Sequence, residues 1–484
     1  MPSELAAKDL SAILSPDSII EDDSVRRQLT RDWWSQTLWW DAGKISEHAP
    51  SLVLRPNNED ELARVLAWAN ERGVIVVPRG GGSGVSGSAI PSNRDAVMLE
   101  TLRLNKMTGL EGSGSQGEVT VGAGILGGEL EAALNQKGWS LMHFPASLEI
   151  STVGGWIACG SYGQLSTLYG GIDAQTKKLR VALPGGSLKE TPPDALMLSE
   201  GSLGVVTEAT LKLRRLPKKH FFLSCEMNSA SEGLDFVRSL IRQGLKPAVV
   251  RFYDPLEAKS AGLAYEKKPL FNEEARFKLR VFLLKHPTLV RWFRKSLSGK
   301  RWLLVMIFED SQENVYRETA RQIKAKQMST SEKSAQVWIA KRSQWNTEKM
   351  TLLFNAGCFV DTLDTWGPWD KLPQIYAEVI RTASPYAIAM GHASHFTEQG
   401  GCLYFIFAGR GRSREESVRL HQKVWSSAME AVIASGGLVN HHHGVGYAKL
   451  PWLRHAYAPG FFEGLKNRKK TFDPKGIMNP GKIL

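Results

Sequence analysis

The sequence predicts an α+β chain of two or three domains. Over residues 45–216, short β-branched strands alternate with helical stretches such as 59–69. After Pro217 the texture changes: longer amphipathic stretches separate strands such as 302–308 and 402–407. The length, 484 residues, is also too great for one small domain.

Residues 1–44 read as a helical lead whose tryptophans, Trp33, Trp34, Trp39 and Trp40, pack against the body. Residues 218 to about 436 show two rounds of strand–helix–strand, which suggests an antiparallel sheet covered by helices. The last 45 residues hold the run Asn440-His441-His442-His443-Gly444-Val445-Gly446 and end in a turn-rich tail. No chemistry is ascribed to that tail.

Bulk numbers exclude several classes. Apolar content of 42% is ordinary for a globular protein. No apolar run reaches the roughly 20 residues that span a bilayer. The N-terminus lacks the basic-then-apolar order of a secretion signal. Cys159, Cys225, Cys358 and Cys402 are scattered without metal-like spacing, which favours a reducing cytoplasm. The net charge of +12 attracts anions such as acidic lipid or a phosphorylated substrate. No nucleic-acid module is visible, so DNA or RNA is not an expected partner.

Residues 74–77 form an apolar, β-branched strand followed at once by Arg79, Gly80, Gly81, Gly82, Ser83 and Gly84. Successive glycines let backbone N–H groups converge on one concavity, a nest for phosphate oxygens, and Arg79 adds positive charge. Residues 82–87 also fit the dinucleotide pattern G-x-G-x-x-G, but that pattern needs a helix next. Residues 88–93 are poor helix formers, so the Rossmann reading fails.

Three further segments are rich in small residues. The first holds Ala146, Ser147, Leu148, Ser151, Thr152, Gly154 and Gly155. The second holds Cys159, Gly160, Ser161 and Tyr162. The third holds Glu200, Gly201, Gly204, Val205 and Val206. Small residues let backbone approach a flat ring system closely.

In the order of these segments the chain resembles flavoenzymes with the FAD-binding domain of the vanillyl-alcohol oxidase and p-cresol methylhydroxylase (PCMH) type. The resemblance implies a two-subdomain FAD-binding domain plus a cap domain, with FAD contacts at all the residues just named. It places the FAD-binding domain at 45–216, the cap at 217–436 and a return to the FAD side at 437–484. Many members attach FAD to a histidine in the first loop. Ser83 stands there, which implies non-covalent FAD.

Three consecutive histidines admit three readings: a metal site, imidazoles satisfied by the backbone, or a polar wall beside the flavin. In extended backbone His441 and His443 would face one side and His442 the other, which disfavours shared metal ligation. No metal is therefore assigned. Within its family the chain is most similar to the alkyldihydroxyacetonephosphate synthases. Those enzymes carry a like histidine run, a tyrosine in a C-x-Y-F-x-F strand, here Tyr404, and an arginine in A-x-x-R-x-x-D, here Arg251. The resemblance implies exchange of the acyl group of acyl-dihydroxyacetone phosphate for a fatty alcohol through flavin N5, with no net redox change. Tyr404 would carry the proton, and His441, His442 and His443 would hold the head group and leaving carboxylate.

The chain departs from that pattern near 346–351, where an R-D pair that grips phosphate is missing and Lys349 is the nearest cation. A lysine is a point charge without a bidentate fork. The alternative is therefore an FAD-dependent dehydrogenase or oxidase of a 2-hydroxy acid or alcohol. Lys278–Arg301 is basic, carries Trp292 and Phe293, and contains no acid; it suits contact with an acidic membrane surface. The expected partners are a small-molecule or lipid substrate and a second copy in a homodimer. The expected location is cytoplasmic, peripheral to a membrane.

Overall fold

The computed structural model describes residues 8–263, 273–287, 289, 301–342 and 347–484. The chain divides into two units. Met1–Gly163, Gly170–Leu216 and His442–Leu484 make the first; Gln164–Tyr169 and Pro217–His441 make the second. The boundary thus cuts the triple histidine between His441 and His442.

The first unit contains two sheets. The smaller has the order β1 (Ile19–Ile20), β2 (Leu52–Leu54), β4 (Val97–Glu100), β3 (Val76–Arg79). Strands β2 and β3 run parallel to β4, and β1 is antiparallel to β2. Strands β2 and β4 are buried throughout, as the unbroken apolar runs of parallel strands require. Helix Glu59–Arg72 begins where the Asn58 side chain accepts from the Glu61 N–H at 2.9 Å. It ends at left-handed Gly73 and buries Leu62, Val65, Leu66 and Ala69 in the core of this sheet.

The larger sheet has the order β5 (Met107–Ser113), β6 (Gln116–Gly122), β10 (Val205–Arg215), β8 (Thr176–Ala182), β9 (Leu188–Thr191). Strand β7 (Trp139–Ser140) adds to β10, and every pairing is antiparallel. The C-terminal tail returns to β3: Asn479 N–H donates to Val76 O at 2.8 Å, and Met478 bridges Val76 in parallel. The lead is more than helical. Besides helices Asp23–Leu29 and Ala42–His48 it supplies the edge strand β1. Trp40 stacks on His48 at 4.8 Å, whereas Trp33 is 41% exposed.

The second unit is built on one antiparallel sheet. Its order is β14 (Thr330–Ser331), β11 (His220–Met227), β13 (Trp302–Glu309), β12 (Val249–Tyr253), β16 (Ile388–Ser394), β17 (Gly400–Arg410), β15 (Cys358–Pro368). Helices Ala230–Arg242, Leu372–Ala383 and Arg414–Ala434 pack on it. Phe252, Phe308, Phe359, Phe405 and Phe407 form its fully buried aromatic core. Phe252 lies so close to Gly233 that a Cβ there would meet its ring at 2.0 Å, and it stacks on Trp302 at 5.0 Å. Glycine at 233 is what lets helix Ala230–Arg242 approach the sheet.

Among the described residues, no helix is long and apolar enough to cross a membrane. Helix Glu273–Lys285 opens the basic segment, with Leu279 and Phe282 exposed. Trp292, Phe293 and most of 288–300 lie outside the described residues, as does the Lys349 side chain.

Phe252→Ala leaves a cavity between Gly233 and Trp302. It is expected to cost about 3–5 kcal/mol, read as a lowered urea midpoint in the transition of the second unit.

Candidate active site

The glycine loop leaves β3 with its backbone against the second small-residue segment. A Cβ on Gly81 would sit 1.8 Å from Ile150 O, and one on Gly80 would meet Thr152 Oγ1 at 2.2 Å. Gly82 adopts φ +64°, open to glycine alone at low cost. No helix follows over 85–96, in keeping with rejection of the Rossmann pattern. Arg79 spends its hydrogen bonds elsewhere: its guanidinium donates to Leu29 O at 3.2 Å and Arg31 O at 3.0 Å. It binds the N-terminal lead to the loop. Trp33 N–H completes this contact by donating to Gly84 O at 2.8 Å.

The next segments enter helix Val153–Cys159, capped by Thr152 Oγ1, which accepts from Gly155 N–H at 3.2 Å. Ser151 Oγ accepts from Trp156 Nε1 at 2.7 Å. Gly160 is left-handed and turns the chain so that Ser161 Oγ meets His143 Nε2 at 3.0 Å. Burial drives His143 down to about 3, so this imidazole is neutral. Burial, then the carboxylates of Glu200 and Asp32, raises Cys159, which keeps its thiol protonated.

Glu200 joins distant parts of the chain. Its backbone is left-handed at φ +48°. Its carboxylate accepts from Val445 N–H at 2.5 Å and Gly446 N–H at 2.8 Å. Asn479 Nδ2 donates to both Glu200 O and Ser88 O. Ser86 Oγ donates to His443 O at 3.0 Å. Segments near 86, 200, 443 and 479 therefore meet at one place.

The histidine run is not extended; 441–443 form bends. The alternating arrangement expected of a strand does not arise. His442 meets His443 edge-on at 4.6 Å, and Tyr162 lies 6.4 Å from His442.

Sequence reasoning passed over Asp32 and Lys482. Asp32 accepts from Trp34 N–H and Gly87 N–H, each at 2.9 Å. Burial raises its carboxyl to about 6. Lys482 is fully buried in the tail that was given no chemistry, its Nζ 4.8 Å from the Tyr447 ring centre and without a hydrogen-bond partner. Burial lowers it to about 7, against the pull of Glu200 and Asp32. Only the two basic residues near the C-terminus, in an otherwise turn-rich tail, could have drawn attention to it.

These residues fit FAD. Buried Ser199 Oγ, Ser202 Oγ and Lys482 Nζ have no protein partner, so donors remain for an anionic, polar cofactor.

In the second unit, antiparallel register lines up Tyr253, His392, Tyr404 and Asp364 across β12, β16, β17 and β15. Cross-strand partners share one face of a sheet. His392 stacks on Tyr404 at 5.1 Å and 22°. Arg251 Nη1 donates to His392 Nε2 at 2.7 Å, and His392 Nδ1 meets Glu257 Oε1 at 2.8 Å. Asp364 Oδ2 accepts from His441 N–H at 2.9 Å, and the His441 ring stacks on His395 at 5.6 Å. His395 holds a strained φ of +51° and bonds Ser166 Oγ through Nδ1 at 2.5 Å. Burial and nearby carboxylates raise Tyr404, partly offset by a hydrogen bond with Thr362. The structure thus brings Tyr404, Arg251 and His441 into one unit and adds His392, His395 and Glu257. Gly391-His392-Ala393-Ser394-His395 was the overlooked signal.

Residues 50–192 match the family model described as FAD binding domain, and residues 216–483 match FAD linked oxidases, C-terminal domain. The alkyldihydroxyacetonephosphate synthase of Trypanosoma brucei brucei is 28% identical over 500 residues, covering 98% of this chain and 80% of that protein. A solved alkyldihydroxyacetonephosphate synthase shares the fold with a TM-score of 0.77 at 23% identity, covering 98% of this chain and 84% of the other. Substrate-bound p-cresol methylhydroxylase shares it with a TM-score of 0.74 at 15% identity, covering 99% and 96%. The fold is the PCMH-type FAD-binding fold with its antiparallel cap sheet.

Glu200→Gln must turn an NH2 toward one of two backbone N–H groups. It is expected to destabilise the apoprotein by about 1–3 kcal/mol and to speed FAD release, read by the recovery of free-flavin fluorescence. A second expectation concerns pH. The fold penalises the ammonium of Lys482, whereas the unfolded chain keeps the ordinary value of 10.5. The unfolded state therefore binds more protons between about pH 7 and 10.5, and stability rises with pH across that window. Lys482→Met should flatten this rise in urea melts of the apoprotein.

Proposed function

This chain belongs to the FAD-linked oxidases and is an FAD-dependent enzyme, and on that premise we propose that it acts as the alkyldihydroxyacetonephosphate synthases do, on a lipid-linked phosphorylated ketone. The observation that carries this reading is the link from Tyr404 to His441. Asp364 is the cross-strand partner of Tyr404 and also holds the His441 N–H. A hydroxy-acid oxidation needs a base for one proton; it does not need a buried phenol whose cross-strand neighbour holds the start of a histidine run.

In this reading Tyr404 is the proton carrier. Its raised pKa keeps the phenol protonated at neutral pH, so it enters as a donor. Arg251 supplies a fixed cation for an anionic group of the substrate. His441, His442 and His443 offer adaptable donors and acceptors for the head group and the departing carboxylate. FAD supplies the electron-accepting ring. Residues 45–216 would hold it, with 217–436 as the cap and 437–484 as the returning segment. The nest at Gly80–Gly84 and the small-residue segments at 146–162 and 200–206 would take its pyrophosphate, ribityl and ring portions. Ser83 offers no imidazole for a covalent link, so FAD is held by these contacts.

A lipid substrate would be met at an acidic membrane surface by the Lys278–Arg301 segment in the cytoplasm. Exposed Leu279 and Phe282 beside Lys278 and Lys285 support this. A homodimer is the assembly inferred for it.

Tyr404→Phe is expected to keep the oxidised flavin spectrum. It should also lower conversion of acyl-dihydroxyacetone phosphate and labelled hexadecanol to the labelled alkyl ether and free fatty acid by roughly 10²–10⁴-fold. Normal incorporation by the Phe variant would remove Tyr404 from the reaction.

A further inference from the structure

Behind Tyr404 lies a buried chain of three groups, Arg251, His392 and Glu257, all at most 9% exposed. A guanidinium has donors only. Arg251 Nη1 stands 2.7 Å from His392 Nε2, so that nitrogen must present its lone pair. The single ring proton then sits on Nδ1 and is donated to Glu257 Oε1 at 2.8 Å. The Glu257 end is anchored through its backbone. Glu257 lies in helix Pro255–Ser260, whose N-cap is Asp254; Asp254 Oδ1 accepts from Glu257 N–H at 2.7 Å. Asp254 Oδ2 accepts from Gly391 N–H at 2.9 Å and from the Tyr376 hydroxyl at 2.7 Å. One carboxylate thereby fixes the helix to the residue before His392.

We propose that Glu257 and His392 are positioning residues for Arg251 and Tyr404: the pair locks the imidazole as the neutral Nδ1–H tautomer, grips Arg251 by one nitrogen and sets the ring face under the Tyr404 phenol. This rests on the reading of Tyr404 as proton carrier. A cationic imidazole against the phenol would favour the phenolate and drain the donor; a neutral one leaves the proton in place. The groups facing His392 from every packed element are Arg251 and Tyr253 on β12, Tyr404 on β17, and Asp254 and Glu257 at the helix. Burial and then the Arg251 charge hold His392 well below its ordinary value, and Asp254 opposes them. The Arg251 Nε–H has no protein partner, so gripping it at Nη1 leaves a buried donor for substrate.

The test uses FAD-loaded protein labelled with ¹⁵N in the histidine rings and followed from pH 5.5 to 9, with His392→Gln to identify the signal. The expected His392 signal is the neutral Nδ1–H form, unchanged over the range. In Arg251→Met, or Arg251→Gln if the first folds poorly, Nε2 loses its donor, so the ring proton is no longer confined to Nδ1 and the signal should show Nε2–H or a mixture of tautomers. A wild-type His392 that titrates, or that carries its proton on Nε2, overturns the proposal; so does an Arg251 variant whose His392 signal is indistinguishable from wild type. In the exchange assay, Glu257→Gln should lower kcat about tenfold or more with KM little changed; equal loss in kcat and folding yield would make Glu257 merely structural and overturn its positioning role. If wild-type protein shows no exchange at all, the functional reading fails while the tautomer result stands on its own.

Discussion

The Glu200 carboxylate is the constraint on which the cofactor half depends. It is buried, left-handed in its backbone, and bonded to two consecutive N–H groups of the segment that follows the histidines. Burial raises its pKa, while those two N–H groups and the charges of Lys449 and Lys482 pull it back. A carboxylate with less support would protonate and release one of its partners. The segment after the histidines would then lose one of its anchors, leaving Ser86 on His443 O and Asn479 on β3 to hold it. The same point gathers the glycine loop through Ser86 and Ser88 and the tail through Asn479. Four segments distant in the chain become one wall because the side chains of Glu200, Ser86 and Asn479 satisfy backbone groups of one another's segments.

The second unit solves a different problem by register. Tyr253, His392, Tyr404 and Asp364 occupy one row across four strands. A slip of one residue in any strand would send its member to the other face. The buried phenylalanines on β12, β15 and β17 forbid that slip, since the aromatic core would go to the wrong face too. The polar row is thus set by apolar packing, and the carboxylates of Asp254 and Asp364 tie it to the helix and to His441.

Much of this was legible in the sequence. Glycine at 80–84 announced a backbone of special conformation, and the small-residue segments announced close approach of backbone. The change of texture after Pro217 announced a second sheet. What escaped notice has physical causes. Asp32, Lys482 and His392 acquire meaning only from neighbours distant in the chain, and no local spacing marks a buried charge. Arg79 stands beside the glycine nest as the sequence suggests, and two of its five donors also hold the lead carbonyls of Leu29 and Arg31. The histidine run looked extended because alternation is the default for isolated polar residues. Gly444 and Gly446, both with positive φ, bend the chain immediately beyond it.

The most direct measurement is the visible spectrum of the FAD-loaded protein under anaerobic conditions as acyl-dihydroxyacetone phosphate is added, followed by a fatty alcohol. The account predicts that the oxidised flavin band bleaches with the first addition and returns with the second, without any external electron acceptor. A band untouched by acyl-dihydroxyacetone phosphate, but bleached by a 2-hydroxy acid and restored only by an oxidant, would contradict it.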